Sequence, residues 1–433
     1  MKNRGWLIVM AGTLLNLALG VLYAWSIFGK QFTEPLENGG FGWTRTAATM
    51  PYTLAIAVFA IMMIPAGRLQ DRFGPRVAAS MGALLCGVGL VVSSFGAPES
   101  HLPVLIGFGL LTGSGIGLGY AAATPAAVKW FPPEKKGLIT GIVVAGFGLA
   151  PVYIAPLSKY LLADYQVSGA FRILGLLFFL VAGAAAQFLA NPTDTPVFQL
   201  PAGIPTLLPN QSRWCEMLRS PTFWLLYLQY ACAATAGLMI IGHMAKIVSV
   251  QSHNTIQTGF LFVALLAIFN AGGRIVAGLV SDLIGRVTAL TMVFVMQAIV
   301  MFFFGQFETV LGFVLGAAMI GFSYGSCLSL FPATVADLWG TKNMGLNYGI
   351  LFTAWGVGGV AGPLLAGSIA DSTGSYELAY QVSGGLSTFA AFMGMVSHIN
   401  LSFNISEKQL VISFGRQRSS VAPNPTTKDQ KVS

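Results

Sequence analysis

Charge is what this sequence has least of. Only 9% of its 433 residues are Asp, Glu, Lys or Arg, whereas a soluble domain carries roughly 25%, so a soluble globular protein is excluded. Cysteine is scarce as well. Cys86, Cys215, Cys232 and Cys327 are scattered with no CxxC spacing, which argues against both a disulfide framework and a zinc site. No HExxH or P-loop motif occurs, and no metal cluster or nucleophile-base constellation stands out, so no enzyme, cofactor or metal is expected. Acidic residues are missing from the middle of every long apolar run, which removes the carboxylate that usually shuttles a proton inside a membrane.

Apolar residues are what the chain has in quantity. They make up 55% of it, and the mean hydropathy is +0.72. A spanning helix needs about 20 predominantly apolar residues, and by that measure twelve spans are expected. The first six run over Trp6–Phe28, Thr46–Ala66, Val77–Phe95, Leu102–Val128, Leu138–Leu161 and Ala170–Ala190. The other six run over Thr222–Val248, Gln257–Val280, Val287–Phe304, Thr309–Val335, Gly345–Ile369 and Leu378–Ile399. The first span follows directly on Met1 to Arg4 without a small-residue cleavage site, so it reads as retained and not as a signal peptide.

The net charge of +8 follows topology and does not call for nucleic acid. With both termini cytoplasmic, seventeen basic residues fall on the cytoplasmic side and five outside, namely Lys30, Arg45, Lys159, Arg172 and Lys246, while Arg274 lies within a span. That bias is the positive-inside pattern of a multi-pass protein of the plasma (inner) membrane.

The expected fold is an all-α membrane protein of two six-helix bundles. The bundles cover 1–190 and 221–400, joined by a proline-rich cytoplasmic linker at 191–220 and followed by a disordered cytoplasmic tail at 401–433. The halves are related in sequence. Gly67, Asp71 and Gly74 recur as Gly278, Asp282 and Gly285, 211 residues on. Pro125 and Pro156 recur as Pro332 and Pro363 after 207, and Gly137, Gly141 and Gly148 as Gly345, Gly349 and Gly356 after 208.

The loop GRLQDRFGPR, from Gly67 to Arg76, resembles the hallmark loop of the major facilitator superfamily, with its echo at Gly278 to Arg286. The resemblance implies a conformational latch made by Gly67, Asp71, Arg72, Arg76, Asp282 and Arg286. A solvated basic loop is the plainer alternative. Within the superfamily, Tyr23, Trp25, Ser26 and Phe28, the segment FGWT at Phe41 to Thr44, and the run WFPPEKKGLITGIVVAGFG from Trp130 to Gly148 resemble the oxalate:formate antiporter family, which is related to the monocarboxylate transporters.

Arg274 carries the chemical argument. A permanent cation at a helix centre costs about 2.5 to 3.5 kcal/mol on insertion scales. Snorkelling to the nearer end, roughly 9 Å away, is the plain reading. Against it, the 211-residue displacement maps Arg274 onto Met63, so the shared scaffold does not need a cation there. Its guanidinium suits a carboxylate in bidentate fashion, and in the related families an arginine at this place contacts the substrate carboxylate. Asn270, Tyr120, Tyr324, Leu328, Phe352, Trp355, Tyr23, Ile27 and Phe28 complete the candidate pocket, although for each aromatic alone, Tyr120 and Tyr324 apart, ordinary helix packing is the better reading.

Two departures from the relatives matter. The family's prototype has a lysine after an aromatic-Thr-Ala tripeptide in the eleventh span, where this chain has Trp355 following Phe352, Thr353 and Ala354. One cation facing an indole suits a small monocarboxylate such as lactate, pyruvate, acetate, formate or glycolate better than oxalate. The monocarboxylate transporters place an Asp one turn before the arginine, where this chain has Asn270, so His243 and Lys246 are the remaining candidates for proton coupling.

The function expected is secondary active transport of a small monocarboxylate by alternating access, with anion exchange of the oxalate:formate type as the alternative. A transporter-like carboxylate sensor is the alternative of another class. The partners expected are a small organic anion, protons and membrane lipid, without nucleic acid, for a monomeric carrier.

Overall fold

The computed structural model describes residues 2–192, 211–253, 255–256 and 258–396, and no strand is present among them. Most of the linker and the whole of the tail, on which two of the expected divisions fall, lie outside the described residues. Among the described residues, ten helices are long and apolar enough to cross a membrane. They are α1 (Asn3–Thr33), α2 (Arg45–Phe73), α3 (Pro75–Ser93), α4 (Leu102–Val128), the helix Lys136–Phe188, α7 (Pro221–Ile241), α8 (Gly259–Ile284), α9 (Arg286–Phe303), α10 (Val310–Leu338) and α11 (Met344–Thr373).

The helix Lys136–Phe188 has 53 residues, about 80 Å at the α-helical rise and far more than the roughly 30 Å of a bilayer core. It is broken at Gln166, whose φ is 57°, into two arms, α5 (136–165) and α6 (167–188). A further helix, α12, covers 377–396 and reaches the edge of the described residues. Counted this way, each of the twelve expected spans has a helical counterpart.

Local chemistry sets several helix ends. The Thr44 side chain caps α2 by accepting from Ala47 N at 3.2 Å, and Thr309 caps α10 by accepting from Gly312 N at 3.2 Å. Pro75 and Pro221 open α3 and α7, where a missing N–H costs nothing. Gly74 and Gly285, the last glycines of the two related loops, both adopt φ 89°, a backbone that L side chains rarely take. Large apolar side chains such as Met10, Ile61, Leu176 and Leu311 stay exposed around the outside, as lipid contact requires.

Glycines bring the helices together. A Cβ on Gly109, Gly113 or Gly117 would meet Leu54, Ala55 or Met62 of α2, and one on Gly82 or Gly89 of α3 would meet the α4 backbone. This is the small-residue packing expected of those glycines.

The sequence repeat becomes a repeat of contacts. A Cβ on Gly345 would meet the Gly67 carbonyl, and one on Gly137 would meet that of Gly278. One turn further in, Gly349 abuts the Met63 carbonyl and Gly141 the Arg274 carbonyl. Under the displacements of 211 and 208 residues each contact maps onto its fellow. Thus α2 lies against α11 just as α8 lies against α5, with backbone touching backbone.

Candidate functional site

At the end of the bundle that carries the related loops, two carboxylates close the seam. Asp71 accepts from Gly345 N at 3.1 Å and Leu346 N at 2.8 Å. Asp282 accepts from Gly137 N at 2.9 Å and Leu138 N at 2.8 Å. Both pairs of amides are the unpaired donors of a helix N-terminus, where the partial positive charge favours an anion.

The two copies differ in their cations. Arg286 pairs with Asp282 at 2.6 Å and with Asp337 at 2.8 Å, and Lys136 pairs with Asp337 at 2.9 Å. Around Asp71 no ion pair forms among the described residues. Arg72 lies over the Phe73 ring at 5.2 Å and Arg76 is exposed, so the latch partners of Asp71 are backbone amides and not the loop arginines. Lys129 acts on Asp71 only at longer range.

Arg274 lies deeper in the same seam and is 0% exposed. Its Nε donates to Asn270 Oδ1 at 2.9 Å, its Nη1 donates to the Val144 carbonyl of α5, and its Nη2 has no hydrogen-bond partner. Asn270 is one turn away from the nearer helix end, so the side chain points opposite to the direction that snorkelling would take. No carboxylate pairs with it among the described residues. Gly148 makes room, because a Cβ there would stand 3.1 Å from Nε and 3.3 Å from Asn270 Oδ1.

Around this cation the aromatic residues form a closed wall. Trp355 donates from Nε1 to the Tyr324 hydroxyl at 2.7 Å and stacks on Phe352 at 4.9 Å. Tyr120 meets Phe352 at 5.4 Å, and Tyr23 lies half-buried beside the guanidinium. Leu328 is buried one turn beyond Tyr324. Ile27 is half-buried. Phe28 stacks on Phe171 at 4.3 Å, where it packs α1 against α6 and has no ring contact with the other candidates. Trp43 of the FGWT segment likewise has a structural position, stacked on Phe32 at 4.5 Å and donating to the Pro98 carbonyl at 3.0 Å.

Phe59 and Phe147 complete the wall and were not among the expected residues. Phe59 of α2 touches Phe352, Trp355 and Tyr120 at 5.1, 5.3 and 5.5 Å, and Phe147 touches Tyr23 and Tyr120 at 5.4 and 5.5 Å. Phe147 stands between Gly146 and Gly148, one of the repeated glycines, and that was the available signal. Phe59 had none. A cavity of about 460 Å³ lies elsewhere, among methionines of α9, α10 and α12 on the lipid-facing side, and does not touch Arg274.

His243 stands far from this cluster, just beyond the end of α7. Its Nδ1 donates to the Met239 carbonyl at 3.2 Å, its ring lies 5.6 Å from Tyr376, and Lys246 is exposed. Burial pushes its pKa below 6.5, with Lys246 adding to the effect and the Met239 bond and Asp371 opposing it. A base whose folded pKa is depressed contributes stability above its unfolded value and loses it as pH falls below that value. The wild type should therefore lose thermal stability as pH drops below about 6.5, and His243→Gln should lose less over the same range in a melting series in detergent.

The chain resembles transporters over about 90% of its length. The oxalate:formate antiporter of Oxalobacter formigenes is 28% identical over 407 residues, covering 90% of each chain. Monocarboxylate transporter 13 of Bos taurus is 26% identical over 391 residues, covering 88% of this chain and 86% of that protein. Among solved structures, the transporter FucP in the outward conformation superposes with a TM-score of 0.66 over 90% of this chain and 99% of that one, at 13% identity. The model of the Major Facilitator Superfamily matches residues 5–307 and again 257–399. A paired seam of glycine contacts, a duplicated set of carboxylate-to-amide hydrogen bonds and these matches agree, and the chain belongs to the Major Facilitator Superfamily as a multi-pass membrane protein.

Proposed function

We propose that this protein is a secondary active transporter that moves a small monocarboxylate across the plasma membrane by alternating access, with Arg274 binding the carboxylate. The observation that carries this reading is a fully buried guanidinium, in the seam between the related halves, with Nη2 unpaired and no counter-ion among the described residues. An uncompensated buried cation is costly, and an anionic ligand is what removes the cost. Relatives named for oxalate:formate antiport and monocarboxylate transport fit that chemistry.

In this reading the segments 1–190 and 221–400 rock against each other about the seam, and the latch end faces the cytoplasm by the positive-inside pattern. Asp71 and Asp282 hold that end shut in the present conformation. Uptake of labelled lactate, pyruvate, acetate and formate into proteoliposomes tests the assignment. Failure to move any small carboxylate would overturn it.

Exchange of one anion for another is favoured over proton symport by the partner of Arg274. Asn270 holds the guanidinium where a titratable carboxylate would be needed, and an empty carrier would have to reorient with a bare buried charge. Uptake should therefore depend on a counter-anion loaded inside the vesicle and respond little to a pH gradient. Uptake driven equally well by a proton gradient into empty vesicles would exclude exchange.

The substrate reading has its own test in Trp355. Its indole occupies the place next to Tyr324 where a second cation would grip a second carboxylate. Trp355→Lys is expected to raise the ratio of oxalate to acetate uptake about tenfold, the equivalent of about 1.4 kcal/mol. An unchanged ratio would reduce Trp355 to packing.

A further inference from the structure

The two copies of the carboxylate contact are secured by different means. At Asp282 the start of α5 is tied across the seam by charge, because Lys136 pairs with Asp337 while Arg286 pairs with both Asp282 and Asp337. None of these cations and anions has a counterpart at Asp71. The displacements of 207, 208 and 211 map Asp337, Lys136 and Arg286 onto Trp130, Met344 and Pro75.

The ends of the linker between the halves stand there instead. Gln211 Oε1 accepts from Lys342 N at 2.9 Å, and Ser212 N donates to the Trp339 carbonyl at 3.1 Å. The Ser212 carbonyl accepts from both Asn343 Nδ2 and Asn347 Nδ2 at 3.1 Å. Ser212 and Asn347 are buried, so these bonds are made away from water. Asn347 follows directly on Gly345 and Leu346, whose amides hold Asp71. At the other end, Lys129 Nζ donates to Asn191 Oδ1 at 3.4 Å and Trp130 Nε1 to the Ala190 carbonyl at 2.8 Å. Lys129 is the cation whose charge reaches Asp71. Both ends of the linker therefore close on one and the same contact.

The scaffold common to the two halves does not require the asparagines. The displacement of 208 maps Asn343 and Asn347 onto Lys135 and Ile139. A buried amide side chain is costly unless it is hydrogen-bonded, and the linker supplies the acceptor.

We propose that the linker is a strap on the Asp71 contact, with Asn343 and Asn347 as positioning residues that tie the start of α11 to Ser212 and keep its amides turned toward Asp71. At this copy the strap does with neutral hydrogen bonds what the ion pairs do at the other. The proposal rests on the reading of that end of the bundle as a gate that opens in the cycle. Without the strap the first turn of α11 frays, the Asp71 contact weakens, and the population shifts toward the open state.

Thiol labelling from the aqueous phase tests this in the full-length protein, in a Cys215→Ser background that removes the one cysteine not buried. One reporter is Gln70→Cys, at a buried position that faces Gly345 across the seam. The other is Ala336→Cys, whose carbonyl accepts from Lys136 at the Asp282 copy. The double variant Asn343→Ala with Asn347→Ala should speed the labelling of both about tenfold, the size expected for two lost hydrogen bonds, because an opening gate uncovers both copies. Asn343→Asp, at a half-buried position, turns an acceptor toward the Ser212 carbonyl and should act in the same direction. Asn343→Gln keeps the donor and should not.

Faster labelling of Gln70→Cys alone is local fraying of α11 and sinks the proposal. Unchanged labelling of both reporters, beside a response to Gly345→Val, whose side chain meets the Gly67 carbonyl, also sinks it and leaves the gate reading in place. If Gly345→Val changes nothing either, the gate reading fails and takes the strap with it. The measurement contains no carboxylate, so its outcome is independent of the assignment of Arg274.

Discussion

Replacing Arg274 with glutamine is expected to abolish carboxylate uptake and, in the same protein, to raise its thermal stability. The two effects share one cause. Arg274 is fully buried with two hydrogen bonds and no counter-ion among the described residues, and the penalty for an ion taken out of water is several kcal/mol even after relaxation. Hydrogen bonds to a charged group each return about 1.5 to 3 kcal/mol, so the balance stays unfavourable until an anion arrives. Glutamine can still donate to Asn270 or to the Val144 carbonyl without bringing a charge. The expected gain in the ligand-free protein is about 1 to 2 kcal/mol.

Binding should move the other way. Removing one partner of a buried, hydrogen-bonded charge pair costs about 2 to 5 kcal/mol, which is on the order of 30-fold or more in affinity. Ligand present at about 100 times its Kd should stabilise the wild type by about 2.7 kcal/mol and leave the variant's melting point unmoved. Melting curves with and without substrate, beside uptake in proteoliposomes, check both halves of the expectation. A variant that transports as well as wild type would remove Arg274 from the binding site. A variant that is less stable without ligand would instead make Arg274 part of the structural core.

The second large effect is expected at the seam. Gly345→Val and, by symmetry, Gly137→Val should each reduce uptake by about tenfold or more by preventing the latch end from closing. A side chain at Gly345 meets the Gly67 carbonyl, and one at Gly137 meets that of Gly278. The obstacle on each side is backbone within a packed helix, which does not move aside as a flexible side chain would. Separating the helices also pulls Asp71 from the Gly345 and Leu346 amides, or Asp282 from Gly137 and Leu138. A cysteine placed at the buried Ala336, whose carbonyl accepts from Lys136 Nζ at 3.1 Å, reports on opening. Modification of that cysteine by a water-soluble thiol reagent should speed up in both valine variants. Full uptake with unchanged labelling would show that the seam tolerates a side chain and that the glycines serve another purpose.

Much of this was legible in the sequence because membrane insertion leaves coarse marks. A helix that must satisfy its backbone in hydrocarbon needs about 20 apolar residues, and those runs can be counted. The expected break between Leu161 and Ala170 falls at Gln166, although no proline or glycine stands at the reversal itself. The related loops were legible because Gly67, Asp71 and Gly74 and their copies are fixed by backbone contact and by turn geometry, neither of which tolerates exchange. Arg274 was legible because a charge in an apolar run is expensive enough to demand a reason.

The partners were another matter. Asp71 reaches helix amides and not loop arginines, and Arg72 and Arg76 point elsewhere, because the donors it meets are made by the start of α11, 274 residues along the chain. Phe28 was drawn into the expected pocket by its neighbours in sequence, yet the path of α1 turns it toward Phe171. Phe59 carried no mark at all, since a single aromatic in an apolar run looks like any other.

The sequence by itself determined that the chain crosses the membrane many times, that its halves are copies, and that one cation breaks the copy. Each of these is written in composition, spacing or the cost of a buried charge, and all are properties of the chain taken locally. The tertiary structure alone decided which groups face that cation, that its Nη2 is left open, and that Tyr23, Tyr120 and Tyr324 lie within reach of its charge. Those facts depend on how helices hundreds of residues apart are brought face to face, and packing of that kind leaves no period in the sequence.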